Sequence, residues 1–206
     1  MVHVSFPPQR VTGVVLAGGM GRRMGGVDKG LVELNGQPMV AQVITRLAPQ
    51  VAEILINANR NTERYAMFGY RVVADVVGGF AGPLAGLERG LSEAQYDLVA
   101  TAPCDSPFLP EDLVSRLLAA MNNQTADLAV ARTGTQPHPV FCLCKRSLHT
   151  HLSSYLFAGG RKIDAWYATL KVAEVAFDDQ PDAFSNINTR AELHAHASGT
   201  KGPLPL

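Results

Sequence analysis

Glycine-rich backbone set beside several cations is a combination suited to phosphates, and residues 16–29, LAGGMGRRMGGVDK, hold it in dense form. Without a Cβ, the amides around Gly18, Gly19 and Gly21 can point into one concavity and close on phosphate oxygens. Arg22, Arg23 and Lys29 would neutralise what the backbone cradles. Two familiar phosphate loops do not fit. A P-loop needs Gly-Lys-Ser or Gly-Lys-Thr, whereas Lys29 follows Asp28 and precedes Gly30. A dinucleotide fingerprint started at Gly19 meets Met24 where its third glycine should pack helix on strand. Three cations suit more than one phosphate, because a diphosphate leaving group gathers charge in the transition state. The stretch therefore predicts cleavage of a triphosphate between its α and β phosphates, with Arg23 and Lys29 among the catalytic groups.

A metal partner for such chemistry has its candidate in ATAPCDSPFLP, where Asp105 ends an apolar run between prolines. Magnesium takes one or two carboxylates plus phosphate oxygens, so Asp105 is the expected ligand, and Asp75, closing RVVAD, is a second carboxylate. Asn57 ends another apolar run, where an amide can read a base or ribose edge. FSNINT sets Asn186 and Asn188 two residues apart, on one side of an extended segment. Thr189, with Glu192 three residues on, reads as a helix cap and leaves both asparagines for another role. The His149/His151 and His194/His196 pairs do not read as zinc ligands, because residues two apart on a helix face different ways. Surface histidines are expected.

Short apolar runs alternating with helical patterns must position these groups, the pattern of an α/β fold with a mostly parallel sheet. VTGVVLA, AEILINA, RVVAD and YDLVATA read as strands, and such a sheet binds ligands at its carboxyl edge. PMVAQVITRLA, PLAGLERGLSEA and PEDLVSRLLAAM read as covering helices, opened by Pro38, Pro83 and Pro110 in their first turns. Beyond residue 125 come strand-like ADLAVA and PVFCLC, helices near 147–157 and 163–170, strand-like VAEVAF and a last helix from Thr189. One domain over 1–206 is expected, with a flexible tail at 198–206.

Lys and Arg number 18, as do Asp and Glu, so no bulk field favours nucleic acid or an acidic membrane. No apolar run approaches the ~18–20 residues of a membrane span, and the first ten residues lack a signal peptide's apolar segment. Three cysteines, Cys104, Cys142 and Cys144, make no disulfide framework and suit reduced thiols. A cytoplasmic protein is the expectation.

LAGGMGRRMGGVDK resembles the signature loop of the molybdenum cofactor guanylyltransferase family. DKGLVELNGQPM, GPLAG at 82–86, PCDSPFLP, PVF at 139–141, GGRK at 159–162 and FSNINT extend the resemblance over nearly the whole chain. It implies a Rossmann-like three-layer nucleotidyltransferase fold. It also implies magnesium-dependent transfer of GMP from GTP to the terminal phosphate of molybdenum-molybdopterin, and release of pyrophosphate. By motif, Leu16, Ala17, Gly18, Gly19 and Gly21 would belong to the GTP loop and Lys29 would contact phosphates. Asn57 and Asp75 would serve the nucleotide, and Asp105 both metal and nucleotide. Gly82, Arg161, Lys162, Asn186 and Asn188 would lie on the pterin side, and transient contacts with cofactor-delivery and acceptor proteins are implied. The chain departs from the pattern at Arg190, where proline would stand. Two other readings stay open: a cytidylyltransferase acting on the same pterin, and a nucleotide-binding module without catalysis.

Overall fold

Seven strands form one sheet in the order β5-β4-β1-β6-β8-β7-β9. They are β1 (Gln9–Leu16), β4 (Val51–Asn57), β5 (Arg71–Val73), β6 (Leu98–Pro103), β7 (Leu128–Thr133), β8 (Gln136–Lys145) and β9 (Val172–Ala176). The computed structural model describes residues 9–19, 27–76 and 82–187. Strand β1 pairs in parallel with β4 and β6, β4 with β5, and β7 with β9. Only β8 runs against the others, antiparallel to both β6 and β7. The expected mostly parallel sheet is present, and its strand order reverses beside β1. That is the switch point at which open α/β sheets hold ligands.

Helices cover both faces and make three layers. Helix α1 (Met39–Leu47) and helix α4 (Leu113–Gln124) pack on one face. Val40, Val43 and Leu47 meet Leu113, Leu117 and Phe141 in that core. Helix α3 (Pro83–Glu93), helix α5 (His149–Phe157) and helix α6 (Ile163–Tyr167) cover the other, where Leu84, Leu91, Leu152 and Trp166 pack on Val14, Leu55 and Val99. Each helix turns an apolar stripe inward at spacings of three and four, which is why the periodicity located them. Pro83 occupies the first turn of α3, as the spacing predicts.

The structure corrects several expectations. Pro38 precedes α1 instead of entering its first turn, because it closes a small hairpin of β2 (Glu33–Leu34) and β3 (Gln37–Pro38). Helix α4 starts at Leu113, three residues past Pro110, and α6 ends at Tyr167, short of Leu170. Helix α2 (Thr62–Ala66) was not expected, since five residues are too few to show a period. The first histidine pair is not merely solvated. His149 meets Glu88 on α3 at 2.9 Å, and His151 accepts the Trp166 indole N–H at 3.0 Å. Their divergent partners agree with the argument against chelation. The expected last helix, His194, His196 and the 198–206 tail lie outside the described residues.

Candidate functional site at the carboxyl edge

Register decides which side chains meet at the carboxyl edge. Leu16 stands level with Asn57 on one side and Pro103 on the other, and Asn57 stands level with Val73. The chain leaving each strand therefore emerges at one height. Backbone bonds continue the alignment past the strand ends: Ala17 N–H donates to Asn57 O at 2.8 Å and Cys104 N–H to Leu16 O at 3.0 Å. The residues after β1, β4, β5 and β6 thus share one rim.

On the β4–β5 side of that rim the side chains form a closed network. Asn57, almost fully buried, donates from Nδ2 to Asp75 Oδ1 at 2.8 Å. Asn59 donates to Asp75 Oδ2 at 2.7 Å and accepts the Asp75 backbone N–H at 2.9 Å. Both carboxylate oxygens of Asp75 are held, which fixes its plane. Gly18 backs onto this cluster, since a Cβ there would lie 3.0 Å from Asn59 Nδ2 and 3.3 Å from Asn57 Oδ1. Gly86 on α3 faces it from the other side, and a Cβ there would overlap Asn57 Oδ1 and stand 2.7 Å from Leu16 Cδ2. Gly19 is open, with its carbonyl accepting from Arg60 at 3.1 Å.

Across β1 the rim is charged. Lys29 Nζ lies 3.1 Å from Asp105 Oδ2, with both side chains mostly buried. Lys29 stands in a single 3-10 turn (Lys29–Leu31), while Asp105 leaves β6. Asp105 O accepts the Ile187 N–H at 3.0 Å, and the fully buried Ser106 donates its hydroxyl to Asn186 Oδ1. The C-terminal stretch containing Asn186 is thereby tied to the Asp105 loop. Burial, followed by the Asp105 and Asp28 carboxylates, pushes the neighbouring Cys104 thiol up, so it stays neutral and is no nucleophile.

Further along the rim the sheet loosens. The β7–β8 register shifts between Val130, which faces Cys142, and Ala131, which faces His138. Beyond Ala100 the Thr101 hydroxyl donates to Val140 O at 2.7 Å. His138 stacks on Phe184, centroids 4.6 Å apart, and its Nε2 meets Thr133 Oγ1 at 2.8 Å. Burial lowers its pKa and keeps the ring neutral.

Of the sequence candidates, the structure joins Gly18 to Asn57 and Asp75, and Lys29 to Asp105 with Asn186 alongside. Gly82 adopts φ +68°, ψ −156° just before α3, a conformation that suits glycine. Arg161 donates to Leu156 O and Gly160 O at 2.9 and 2.7 Å, so it closes the end of α5, and Lys162 precedes α6. Arg161 thus bonds within its own turn. Helix α5 starts where Arg146 bonds Leu91 O near the end of α3 and runs back along α3 through the Ser153–Glu88 bond. That direction carries Arg161 and Lys162 toward the end of α3 where Gly82 lies. Gly21, Arg22, Arg23 and Asn188 lie outside the described residues.

Sequence reasoning missed Asn59, Asp28 and Tyr65. Asn59 had a signal, since NAN repeats an amide two residues after Asn57; Asp28 stood in the glycine-rich loop beside Lys29 with nothing to give its carboxylate a role, and Tyr65 had none. Magnesium is an oxygen-seeking ion that keeps water and substrate phosphates as ligands. Asp105, a carboxylate at the rim beside Lys29, is the kind of single oxygen ligand that such an ion takes from a protein.

Comparisons with known proteins give the family and the fold. Residues 13–173 match the family model described as the MobA-like NTP transferase domain. A molybdenum cofactor guanylyltransferase of Shewanella putrefaciens is 55% identical over 190 residues, covering 92% of this chain and 97% of that protein. One from Shewanella amazonensis is 55% identical over 184 residues, covering 89% and 94%. Among solved structures, the molybdopterin-guanine dinucleotide biosynthesis protein A of Archaeoglobus fulgidus superposes with a TM-score of 0.75 at 22% identity, covering 91% of this chain and 97% of that one. The 4-diphosphocytidyl-2C-methyl-D-erythritol synthase of Anaerococcus prevotii gives 0.70 at 13% identity, covering 92% and 97%. At those identities the solved structures speak to the fold.

Proposed function

Because the chain belongs to the molybdenum cofactor guanylyltransferase family, an enzyme family of nucleotidyltransferases, we propose that it transfers GMP from GTP to the terminal phosphate of molybdenum-molybdopterin. The observation that carries the site assignment is the Lys29–Asp105 pair at the sheet's switch point, beside the Asn57–Asn59–Asp75 network. An oxygen of the pterin's terminal phosphate attacks the α phosphorus of GTP. A new P–O bond forms, the α–β bridging bond breaks, and pyrophosphate departs with the bridging electrons. No protein nucleophile is needed, so catalysis rests on alignment and charge neutralisation.

Each residue has a part in this reading. Leu16, Ala17, Gly18, Gly19 and Gly21 form the GTP loop, and Asn57 with Asp75 holds the nucleoside. Lys29 and Arg23 receive charge on the departing phosphates. Asp105 would hold magnesium, which supplies Lewis-acid polarisation of the phosphate oxygens and neutralises charge on the leaving group. Lys29 then leaves Asp105 for a phosphate. Gly82, Arg161, Lys162, Asn186 and Asn188 would serve the pterin side. Guanine is the base we assign, on the strength of the relatives, with cytosine as the rival.

We further propose that the chain acts as a single domain in the cytoplasm, with transient contacts to cofactor-delivery and acceptor proteins. In support, β1, β4, β5 and β6, whose ends lead to Leu16, Asn57, Asp75 and Asp105, belong to one sheet, and no helix among the described residues is long and apolar enough to cross a membrane. Pyrophosphate release with magnesium and loaded molybdopterin, comparing GTP, CTP and ATP, is the test. Release with GTP alone is expected. Release with CTP instead would move the base, and tight GTP binding without release would make this a binding module.

A further inference from the structure

Asp28 precedes the 3-10 turn that carries Lys29, in the place of a capping residue, yet its side chain makes no cap bond. Its carboxylate points away and is fully engaged elsewhere. One oxygen accepts the hydroxyl of Tyr65, and the other accepts Asn61 Nδ2 at 2.9 Å. A third carboxylate beside a triphosphate site opposes the substrate's charge, so Asp28 is disfavoured there unless its oxygens do something else.

Tyr65 is the fixed end of this arrangement. It is fully buried, packed in the core beneath α1 and α4, although the helix that carries it has only five residues. Its hydroxyl lies 2.6 Å from where a Cβ on Gly30 would sit, and the Cys104 sulfur lies 3.1 Å from that same point. The Gly30 end of the Asp28–Lys29–Gly30 turn thus seats against both Tyr65 and Cys104, the residue just before Asp105. Burial pushes the phenol well above its ordinary pKa, which keeps it a hydrogen-bond donor at any working pH.

We propose that Tyr65, acting through Asp28, is a positioning residue that sets the spacing of Lys29 and Asp105. Its catalytic consequence rests on the transfer reading above; its effect on the turn does not. A hydroxyl from the core pins the Asp28 carboxylate, the carboxylate pins the turn, and the turn has no side chain at Gly30 so that it can seat against both Tyr65 and Cys104. Small misplacements of aligned groups are costly in rate, since positioning supplies much of phosphoryl-transfer catalysis.

The test uses the whole chain with Tyr65→Phe, which keeps the ring and loses only the hydroxyl, together with Asp28→Ala, Asp28→Asn and the Tyr65→Phe/Asp28→Ala double variant. The first readout is amide exchange at Leu31 and Val32, whose N–H groups bond Asp28 O and Lys29 O. Exchange there should quicken about tenfold in Tyr65→Phe while β1 and β4 amides keep their protection. The second readout is steady-state kinetics with GTP. kcat should fall about tenfold in Tyr65→Phe and in Asp28→Ala with KM changed less than threefold, and the double variant should be no worse than either single one. Asp28→Asn should recover most of kcat, because its amide oxygen still accepts the phenol and Asn61 can turn to offer its own oxygen.

Unchanged exchange in Tyr65→Phe overturns the proposal whatever the enzyme's activity. Quickened exchange with wild-type kcat overturns the positioning role. A wild type that binds GTP and releases no pyrophosphate sinks the transfer reading, and the clamp then stands or falls on exchange alone.

Discussion

The two sides of the carboxyl edge are held together by different means. Beside β4 and β5, Asp75 is tied by two carboxamides and its own backbone N–H, a hydrogen-bonded lattice with Asn57 almost wholly inside it. Beside β6, one lysine faces one carboxylate at 3.1 Å, and each is a group that a metal-triphosphate would claim. The first arrangement is complete without a ligand. The second pairs two charges that the substrate must separate. A rigid lattice suits recognition, whereas a pair ready to exchange partners suits charge that develops during reaction. On the transfer reading proposed above, the difference gives binding to one side and chemistry to the other.

The sharpest way to break that division is to remove the charges. Asp105→Ala should lower turnover about 10³-fold at any magnesium concentration, and Lys29→Ala about 10²-fold with weaker GTP binding besides. Steady-state kinetics across a magnesium titration checks both. Full activity in either variant would dissolve the distinction between the two sides.

Changes in the lattice should cost less and act on binding. A Cβ at Gly86 would overlap Asn57 Oδ1 and crowd Leu16, so Gly86→Ala should raise KM for GTP about tenfold. It should also lower Tm by several degrees by calorimetry, in keeping with an overpacked core site. Asn59→Ala frees one oxygen and the backbone N–H of Asp75 at an exposed position. KM should rise about threefold with kcat held, a split that marks lost ground-state binding. A fall in kcat with KM unchanged would instead move Asn59 to the chemical side.

The smallest effect belongs to His138, packed on Phe184 near the loosened part of β8. Burial lowers its folded-state pKa, so the unfolded chain takes up a proton first as pH falls. The stabilisation from keeping this ring neutral is complete above about pH 6.5, the ordinary histidine value, and is lost as pH falls from there toward the lowered folded value. Between pH 7.5 and 5.5, wild type should lose roughly 1–3 °C more Tm than His138→Phe, which stacks without titrating. Equal losses would show that His138 is not the titrating group.

The sequence carried the frame of this comparison further than its details. Val40, Val43 and Leu47 fall on one helical stripe, and the strands from Val11 to Leu16 and Val51 to Asn57 are short apolar runs, so their periods show directly. Asp105 was legible because a carboxylate at the end of an apolar run belongs at a sheet's edge. The reversal of β8 was not, since an apolar run reads the same in either direction. Tyr65 and Asp28 were hidden for a related reason. Their pairing spans 37 residues and joins a five-residue helix to a single turn, so neither element has a period to read. The carboxamides around Asp75 were half visible: Asn57 and Asp75 each end an apolar run, but only their register brings them to one height.

On the proposed reading, the Lys29–Asp105 side of this edge joins GMP to molybdenum-molybdopterin. The most direct test is to incubate wild type and Asp105→Ala with GTP, magnesium and loaded molybdopterin, and to quantify guanine dinucleotide product against pyrophosphate. Wild type should give one product per pyrophosphate and the variant neither above background, with the variant's Tm intact. Equal product from both proteins, or pyrophosphate without dinucleotide, would contradict that reading.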